Sequence, residues 1–344
     1  MSGTANPADD DGPVAIAQGL RDMGLVRGGE RFTARTLSGG VSCDVVLINE
    51  TTAHPFVVKR ALPQLRVAAQ WLAPPKRAET EVAWLKLVRT IEPGWVPQVL
   101  GEDRARHLFA MEYLPPQDHP VWKAELAAGR IDTGFAAQAG AALAAIHAAT
   151  AGRADVAAAF DNGAQFLALR LEPYLLYTAD KHPFAAGAIR DEVARIAAAR
   201  IALMQGDISP KNILCGPHGP VFLDAETACT GDPAFDAAFC LNHFLLKAVW
   251  HPQWTDGYAR AFAAMKDAYL DGVTWENRAQ IDRRVARLLP MLFLARVDGK
   301  SPVEYLTEED DKAFVRGAAM QMIMEPPYSL DVLAQSYFPM AAQR

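Results

Sequence analysis

The chain is poor in cysteine, with four in 344 residues, and no two of them have the CxxC spacing typical of zinc and redox sites. Cys43, Cys215, Cys229 and Cys240 are therefore predicted to be free thiols, buried or half-buried as free cysteine usually is. So few cysteines in so long a chain exclude a disulfide framework and fit a reducing cytoplasm.

Other absences exclude further classes of protein. No apolar run reaches the roughly 18–20 residues of a membrane helix, and the start of the chain lacks the basic and apolar segments of a signal peptide. The net charge is −6 and basic residues form no dense block, so neither a membrane nor a nucleic acid is expected as partner. The GxxxxGK[ST] phosphate loop and the GxSxG nucleophile elbow are also missing.

What the sequence does contain is an ordered trio of polar residues beside apolar, strand-like runs. Asp207 is followed five residues later by Asn212 and, twelve residues beyond that, by Asp224. Phosphoryl transfer needs one carboxylate to orient an attacking hydroxyl, together with oxygen ligands that hold Mg²⁺ on the nucleotide phosphates. We therefore predict that Asp207 is catalytic and that Asn212 and Asp224 bind the metal. Glu226 is either a further group near the metal or a charged residue at a strand end.

A lysine within an apolar strand is the second signal. Lys59 ends the run Phe56–Lys59, where a charged side chain is unusual. We expect it to contact the α- and β-phosphates and to pair with a carboxylate on the helix that follows. Glu81 is the favoured partner and Glu79 the alternative.

Two further segments are candidate nucleotide contacts through their backbone. Glycine permits close approach of amide groups to phosphate, and a strand end can offer hydrogen bonds to an adenine edge. The candidate residues are Ser38, Gly39, Gly40 and Ser42 in the first segment and Glu112 and Leu114 in the second.

The order of patterns predicts an α+β protein. Short β-branched runs with turn residues and one helix lie before Pro115, and long helical patterns follow it. We expect a disordered leader at 1–12, a nucleotide-binding lobe with a small antiparallel sheet at 13–114, and a mainly helical lobe at 115–344 that carries the catalytic and metal loops.

We expect three polar residues to have structural roles. Asp232 and Asp236 are expected to cap a helix or brace the catalytic loop, and His147 to be a hydrogen-bonded core histidine. The acceptor is expected to bind after residue 232. Asp298 and Lys300 are candidates there, and aromatic residues including Trp250 and Tyr305 either line the pocket or belong to the core.

These motifs resemble the aminoglycoside phosphotransferase family, which includes choline and methylthioribose kinases and is similar in fold to protein kinases. The family pattern HGDxxxxN is matched by 205–212, hydrophobic–Asp–x–Glu by 223–226, and GDPxxD by 231–236. In this chain, Gln205 replaces the histidine with which the first pattern usually begins. Its amide can also donate and accept hydrogen bonds. Ser209 replaces the lysine of protein kinases, which favours a small-molecule substrate.

The resemblance implies a two-lobed, protein-kinase-like fold and an ATP- and Mg²⁺-dependent small-molecule kinase, with GTP the possible alternative to ATP. The acceptor would be a hydroxyl of a sugar, an amino alcohol or an antibiotic-like compound. Because Gln205 departs from the family pattern, a nucleotide-binding scaffold without turnover is the competing hypothesis.

Overall fold

A computed structural model describes residues 12–37, 43–51, 54–62 and 74–344. They divide into two compact units, one ending at Pro115 and the other running from Pro116 to Arg344. Of the predicted leader, only Gly12 is described, and it begins the first helix. Within these ranges, no helix is both long enough and apolar enough to cross a bilayer.

The first unit contains a five-stranded antiparallel sheet with the strand order β1-β2-β3-β5-β4. Its elements are α1 (Gly12–Asp22), β1 (Thr33–Thr36), β2 (Cys43–Asn49), β3 (Phe56–Ala61), α2 (Arg77–Ile91), a 3₁₀ turn (Pro93–Trp95), β4 (Val99–Asp103) and β5 (Leu108–Glu112). The predicted small antiparallel sheet is therefore present, and its helix, α2, lies in the chain between β3 and β4.

The alternation of side chains along the central strand β3 positions one lysine. Val58 belongs to an apolar cluster that includes Ile16 and Leu20 of α1. Lys59, the next residue, points to the opposite face of the sheet, where it reaches Glu81 on α2. Both faces of β3 are covered, so this lysine is only 6% exposed.

The second unit is mainly helical. Its helices are α3 (Trp122–Ala127), α4 (Thr133–Thr150), α5 (Ala154–Ala159), α6 (Gly163–Phe166), a π-helical segment (Leu167–Leu176), α7 (Tyr177–Lys181), α8 (Pro183–Ala198), α9 (Ala234–Trp250), α10 (Thr255–Asp271), α11 (Arg278–Asp298), α12 (Glu309–Met324) and α13 (Leu330–Ala342). Together with the first unit, this confirms the predicted α+β class.

Two small antiparallel ladders support the functional loops of this unit. The elements are β6 (Ala202–Met204), a 3₁₀ turn (Pro210–Asn212), β7 (Ile213–Gly216), β8 (Gly219–Phe222) and β9 (Cys229–Gly231). Strand β6 pairs with β9, and β7 pairs with β8. The loops after β6 and after β8 carry the motif residues, so the pairing of short strands fixes where each loop begins.

One sequence expectation differs from the structure. The helical pattern at 164–177 predicts a single α-helix, whereas the chain forms α6, the π-helical segment and α7 in succession. Pro173 lies inside this stretch and has no N–H to donate to the preceding turn. The N–H of Tyr177 bonds to the carbonyl of Glu172, five residues earlier, which is the π-helical spacing, and the Pro173 carbonyl accepts from the Lys300 amide at 2.9 Å.

Helix α9 lies in the core of the second unit, with every residue from Ala234 to Val249 buried. A helix covered on all sides normally carries apolar residues throughout, yet this one also includes Asp236, His243 and Lys247. Such buried polar groups need partners or a function.

Candidate active site

Asp207 and Asn212 are in direct contact. The 3₁₀ turn before β7 brings the Asn212 amide back to the loop, where Nδ2 donates to Asp207 Oδ2 at 2.9 Å and to the Asp207 carbonyl at 3.0 Å. Asp207 is 2% exposed, and its Oδ1 has no hydrogen-bond partner among the described residues. A buried oxygen without a partner can accept a hydrogen bond from a substrate hydroxyl.

Two cations neutralise this carboxylate. Arg170 Nη2 and Lys211 Nζ each lie 3.0 Å from Asp207 Oδ2. The arginine is almost fully buried and also donates from Nε to the Gly206 carbonyl at 2.7 Å, so it holds both side chain and backbone. The Asp207 charge raises the pKa of Lys211, but half of that lysine is exposed and solvent screens its interaction.

Asp224 lies in the loop after β8 and has a left-handed backbone conformation, with φ of 64°. Few side chains adopt it, although aspartate does so more readily than most. Burial alone would lower the pKa of Arg170, but Asp207, with smaller contributions that include Glu226 and Asp224, raises it. Carboxylates from both loops therefore act on one buried guanidinium.

Asn212 and Asp224 provide a neutral and a charged oxygen, both of the hard type that Mg²⁺ prefers. Because the Asn212 nitrogen is used by Asp207, its oxygen is the amide atom left for a cation. Across residues 12–344, the described portions contain no group of three or more His, Cys, Asp and Glu placed to bind a metal. A cation here would need further ligands, and nucleotide phosphate oxygens fit that requirement.

Gln205 links the two loops. Its Nε2 donates to the carbonyls of Leu223 at 2.7 Å and Asp224 at 3.0 Å, and its Oε1 accepts from the Asp207 amide at 2.6 Å. The side chain is 1% exposed. The Nε2 donor and the Oε1 acceptor of Gln205 are therefore both used, as the sequence predicts for a glutamine in place of the usual histidine.

Asp236, on the first turn of α9, holds the backbone of the loop after β6. Its carboxylate accepts the amides of Gln205 at 2.7 Å and Gly206 at 2.8 Å, and His147 Nε2 lies 3.4 Å from Oδ2. Gly206 has φ of 82°, and a Cβ there would lie 2.7 Å from Thr227 Oγ1. Glycine is therefore required at this position by both conformation and space.

The nearby Asp232 has a structural role. Its Oδ1 accepts the Ala234 amide at 3.0 Å, which caps α9, and its carboxylate pairs with Arg195 and Arg284. Although burial opposes ionisation, the two arginines keep the pKa of Asp232 below its ordinary value.

In the first unit, Lys59 and Glu81 form a buried ion pair. The lysine Nζ lies 2.7 Å from Oε1 and 2.8 Å from Oε2 of Glu81, and the glutamate is 2% exposed. Glu79, the alternative partner, is only half-buried on α2. A two-point hydrogen bond fixes the ammonium on a defined face of the sheet.

The other candidate nucleotide contacts stay predictions. Ser38, Gly39, Gly40 and Ser42 lie outside the described residues. Glu112 ends β5, its amide bonding to the Gln98 carbonyl at 2.8 Å. Leu114, two residues later, is half-buried.

The contacts of Asp298 favour a structural role for this residue. Arg316 donates to both its oxygens at 2.9 Å, and His182 Nε2 lies 2.8 Å away. Lys300 lies over the ring of Tyr177 at 5.4 Å. Both candidates for acceptor binding are thus occupied by contacts within the second unit.

The role of Arg170 is not apparent from the sequence. It lies 37 residues before Asp207 in an alanine- and leucine-rich stretch, where an arginine is ordinarily solvent-exposed. The available signal is an arginine between two leucines, Leu169 and Leu171, three residues before the helix-interrupting Pro173.

Comparison with known proteins places these features in a family. The model of the phosphotransferase enzyme family matches residues 33–279. Methylthioribose kinase 2 of Oryza sativa subsp. japonica is 32% identical over 126 residues, which are 36% of this chain and 29% of the relative. Methylthioribose kinase 1 of the same plant is 26% identical over 271 residues, which are 70% of this chain and 62% of the relative. The chain thus spans less than two thirds of either relative.

Among solved structures, the amicoumacin kinase in complex with AMP-PNP and Ca²⁺ has a TM-score of 0.54 at 12% identity, covering 94% of this chain and 96% of that one. At this level of identity the likeness shows the fold, and the predicted kinase-like fold class is confirmed. Because the family model spans most of the chain, from β1 to the start of α11, this protein belongs to the phosphotransferase enzyme family, as its motifs predict.

Proposed function

We propose that the protein transfers the γ-phosphoryl group of ATP to a hydroxyl of a small molecule. The observation that carries this proposal is the state of Asp207. One oxygen is held by Asn212, Arg170 and Lys211, and the other is buried without a hydrogen-bond partner among the described residues. Such a carboxyl group is oriented and ready to accept one further hydrogen bond.

The chemical step follows from that geometry. The acceptor hydroxyl donates to Asp207 Oδ1, which aims its oxygen at the γ-phosphorus. As the new P–O bond forms, the bond to the β–γ bridging oxygen breaks, ADP leaves, and the hydroxyl proton passes to Asp207. The transition state is loose, so Asp207 needs to orient the nucleophile more than it needs to be a strong base. Arg170 keeps the carboxylate in place throughout.

The proposal also assigns the groups that hold the nucleotide and its cation. Lys59, positioned by Glu81, contacts the α- and β-phosphates, while Asn212 and Asp224 hold Mg²⁺. When bound, the cation neutralises charge on the β- and γ-phosphates. ATP is favoured over GTP because the likeness in fold includes a kinase complex with the ATP analogue AMP-PNP.

The backbone contacts stay part of the proposal, namely the phosphates to the segment Ser38–Ser42 and the adenine edge to Glu112 and Leu114. Residues 13–114 and 115–344 would form the two lobes. We place the reaction in the cytoplasm, where ATP is available; four cysteines without CxxC spacing fit such a reducing compartment.

An ADP-release assay with a panel of hydroxylated sugars, amino alcohols, hydroxy acids and antibiotics tests the proposal. Asp207→Asn should lower kcat by about 10²–10⁴-fold and leave the Kd for AMP-PNP within a factor of about three. Asp191→Asn, an exposed aspartate on α8, is the matched control and should behave as wild type. Turnover unaffected by Asp207→Asn contradicts the role of this residue; nucleotide binding without turnover on every acceptor favours the scaffold hypothesis.

A further inference from the structure

Helix α9 carries a buried lysine. Lys247 is 0% exposed, and its Nζ has no hydrogen-bond partner among the described residues. The ammonium lies over the rings of Tyr305, at 4.7 Å, and Trp250, at 5.4 Å. Rings compensate only part of the cost of burying an ammonium, so the partners that the described residues provide do not offset the burial of this group.

Three neighbouring polar atoms share this condition. Nε2 of His243, Nε of Arg296 and the hydroxyl of Tyr305 are buried and have no partner within the described ranges. His243 lies one turn before Lys247 on the same face of α9. We call these four residues, His243, Lys247, Arg296 and Tyr305, the donor cluster, because each can donate a hydrogen bond and two can do nothing else.

The cluster is a single electrostatic unit. After burial, the charges of Arg296 and Lys247 are the main causes that lower the pKa of His243, and Lys211 contributes as well. Arg296 also lies 5.5 Å from the ring of Tyr174, so the cluster is next to the π-helical segment.

The cluster lies on the catalytic side of the second unit. Tyr174 follows Arg170 by four residues in the π-helical segment, and its hydroxyl accepts from Arg296 Nη1 at 3.3 Å. Although burial opposes it, the charges of Arg296 and Arg170 lower the pKa of Tyr174, and those of Asp207 and Lys211 also act on this group. One segment thus carries Arg170 to the catalytic carboxylate and Tyr174 to the donor cluster.

The charges around the cluster are predominantly positive. Lys123 acts on both His243 and Lys247, and Lys211 acts on His243. The acidic neighbour, Glu304, pairs with Lys123, and its side chain is 66% exposed. A ligand that satisfies the buried donors must therefore offer acceptor atoms and, preferably, negative charge.

We propose that the donor cluster is the acceptor subsite and that it binds a hydroxyl compound carrying a carboxylate or another anionic group. This inference rests on the proposed phosphotransferase function and names its substrate class. The anionic group would accept hydrogen bonds from Lys247, Arg296 and His243, while the reacting hydroxyl extends towards Asp207.

A cationic acceptor is the rival, because stacked aromatic rings can hold an ammonium group. Trp250 and Tyr305 do stack, with centroids 4.6 Å apart. Their faces, however, are already next to the ammonium of Lys247. A cationic compound would have to enter beside a buried like charge, which is unfavourable.

Binding is measured first, without turnover, by thermal unfolding in saturating AMP-PNP and Mg²⁺ at constant ionic strength. The probes are two matched series: glycerate, glycerol and 3-aminopropane-1,2-diol, then gluconate, sorbitol and glucamine. We expect an acid to raise Tm in wild type and to lose this effect in Lys247→Met. Lys266→Met, a control at a lysine that is also buried, at 5% exposed, but paired with Asp267 and Asp331, should keep it. No stabilisation by either acid, equal stabilisation in Lys247→Met, or stabilisation by the amines overturns the proposal.

Turnover is then measured with the same compounds. An acid should exceed its neutral and amino counterparts at least tenfold in kcat/KM, and Lys247→Met should raise the KM of the acid tenfold without changing the KM of ATP. Acid binding without any ADP release refutes the proposed reaction but keeps the subsite. ADP release that favours an amine keeps the reaction and refutes the subsite.

Discussion

Arg170 binds the catalytic loop at two points, with Nη2 3.0 Å from Asp207 Oδ2 and Nε donating to the Gly206 carbonyl at 2.7 Å. The guanidinium thus fixes the carboxylate relative to the backbone that carries it. Its rigid fork makes it better suited to this than a lysine, which offers a single point charge.

Arg170→Met should therefore impair catalysis through Asp207. Without the buried guanidinium, the Asp207 carboxylate and the Gly206 carbonyl lose the contacts that hold the loop in place, so kcat should fall while the Kd for AMP-PNP stays close to that of wild type. Stability should fall by about 3 kcal/mol, because a buried charge loses one of its two cationic partners. Arg170→Lys should restore part of kcat. Arg60→Met, which breaks the partly buried pair with Asp44, is the control; an equal fall of kcat in both variants would argue against a specific role.

The buried ion pair between Lys59 on β3 and Glu81 on α2 provides a second prediction. Glu81→Gln removes the charge that positions Lys59 and should lower kcat/KM for ATP by about 10–100-fold, the loss expected for one charge-assisted hydrogen bond. Glu79→Gln changes the same residue type two positions earlier and should stay within about twofold of wild type. Steady-state kinetics with ATP varied distinguish the two, and the opposite ranking would assign the pair's role to Glu79.

Variants of Gln205 test whether the glutamine can take the place of the histidine in the family pattern. Gln205→Leu leaves the amide of Asp207 and the carbonyls of Leu223 and Asp224 without their partner, which should cost about 1–3 kcal/mol and lower kcat. Gln205→His can supply one donor and one acceptor and should keep more activity than the leucine variant. Urea unfolding and ADP release measure the two effects; an active, stable leucine variant would show that the link between the loops is dispensable.

Lys247 is expected to reduce stability. Burial, reinforced by Lys123, lowers its pKa from 10.5 to about 8. Between those two values the unfolded chain binds more protons than the folded one, so this group makes stability rise with pH. At pH 7, Lys247→Met should be more stable by up to about 3 kcal/mol. Urea unfolding at pH 7 and pH 10 should show the difference shrinking at the higher pH; a destabilised variant at pH 7 would contradict the buried, uncompensated charge.

Much of the site could be predicted because its parts are close in sequence. Asp207 and Asn212 lie five residues apart, so one tight turn suffices to bring them together, and the strand patterns on either side set the turn's position. Asp224 follows through a single hairpin, β7–β8. In the first unit, the buried pair of Lys59 with Glu81 could also be predicted, because a charge in an apolar strand requires a partner in any fold.

The remaining parts depend on contacts distant in sequence. Nothing near Arg170 in the chain shows that its partner is Asp207, because the π-helical segment that aims it results from Pro173 and its packing. The donor cluster combines α9, α11 and the loop at Tyr305, and no acidic residue lies three or four positions from Lys247 on its helix. Such a lysine is ordinarily exposed, and only the covering of α9 on all sides makes it a buried cation.

The Gln205 link between the two loops contains no ionisable group. A histidine in that place, as in the pattern that this chain resembles, would take up a proton near pH 6.5 in water and exchange an acceptor for a donor. The glutamine amide keeps one donor group and one acceptor oxygen throughout that range. The hydrogen bonds between the loops after β6 and after β8 therefore do not depend on a proton at this position, and a loss of activity between pH 5 and 7 would have to come from other groups.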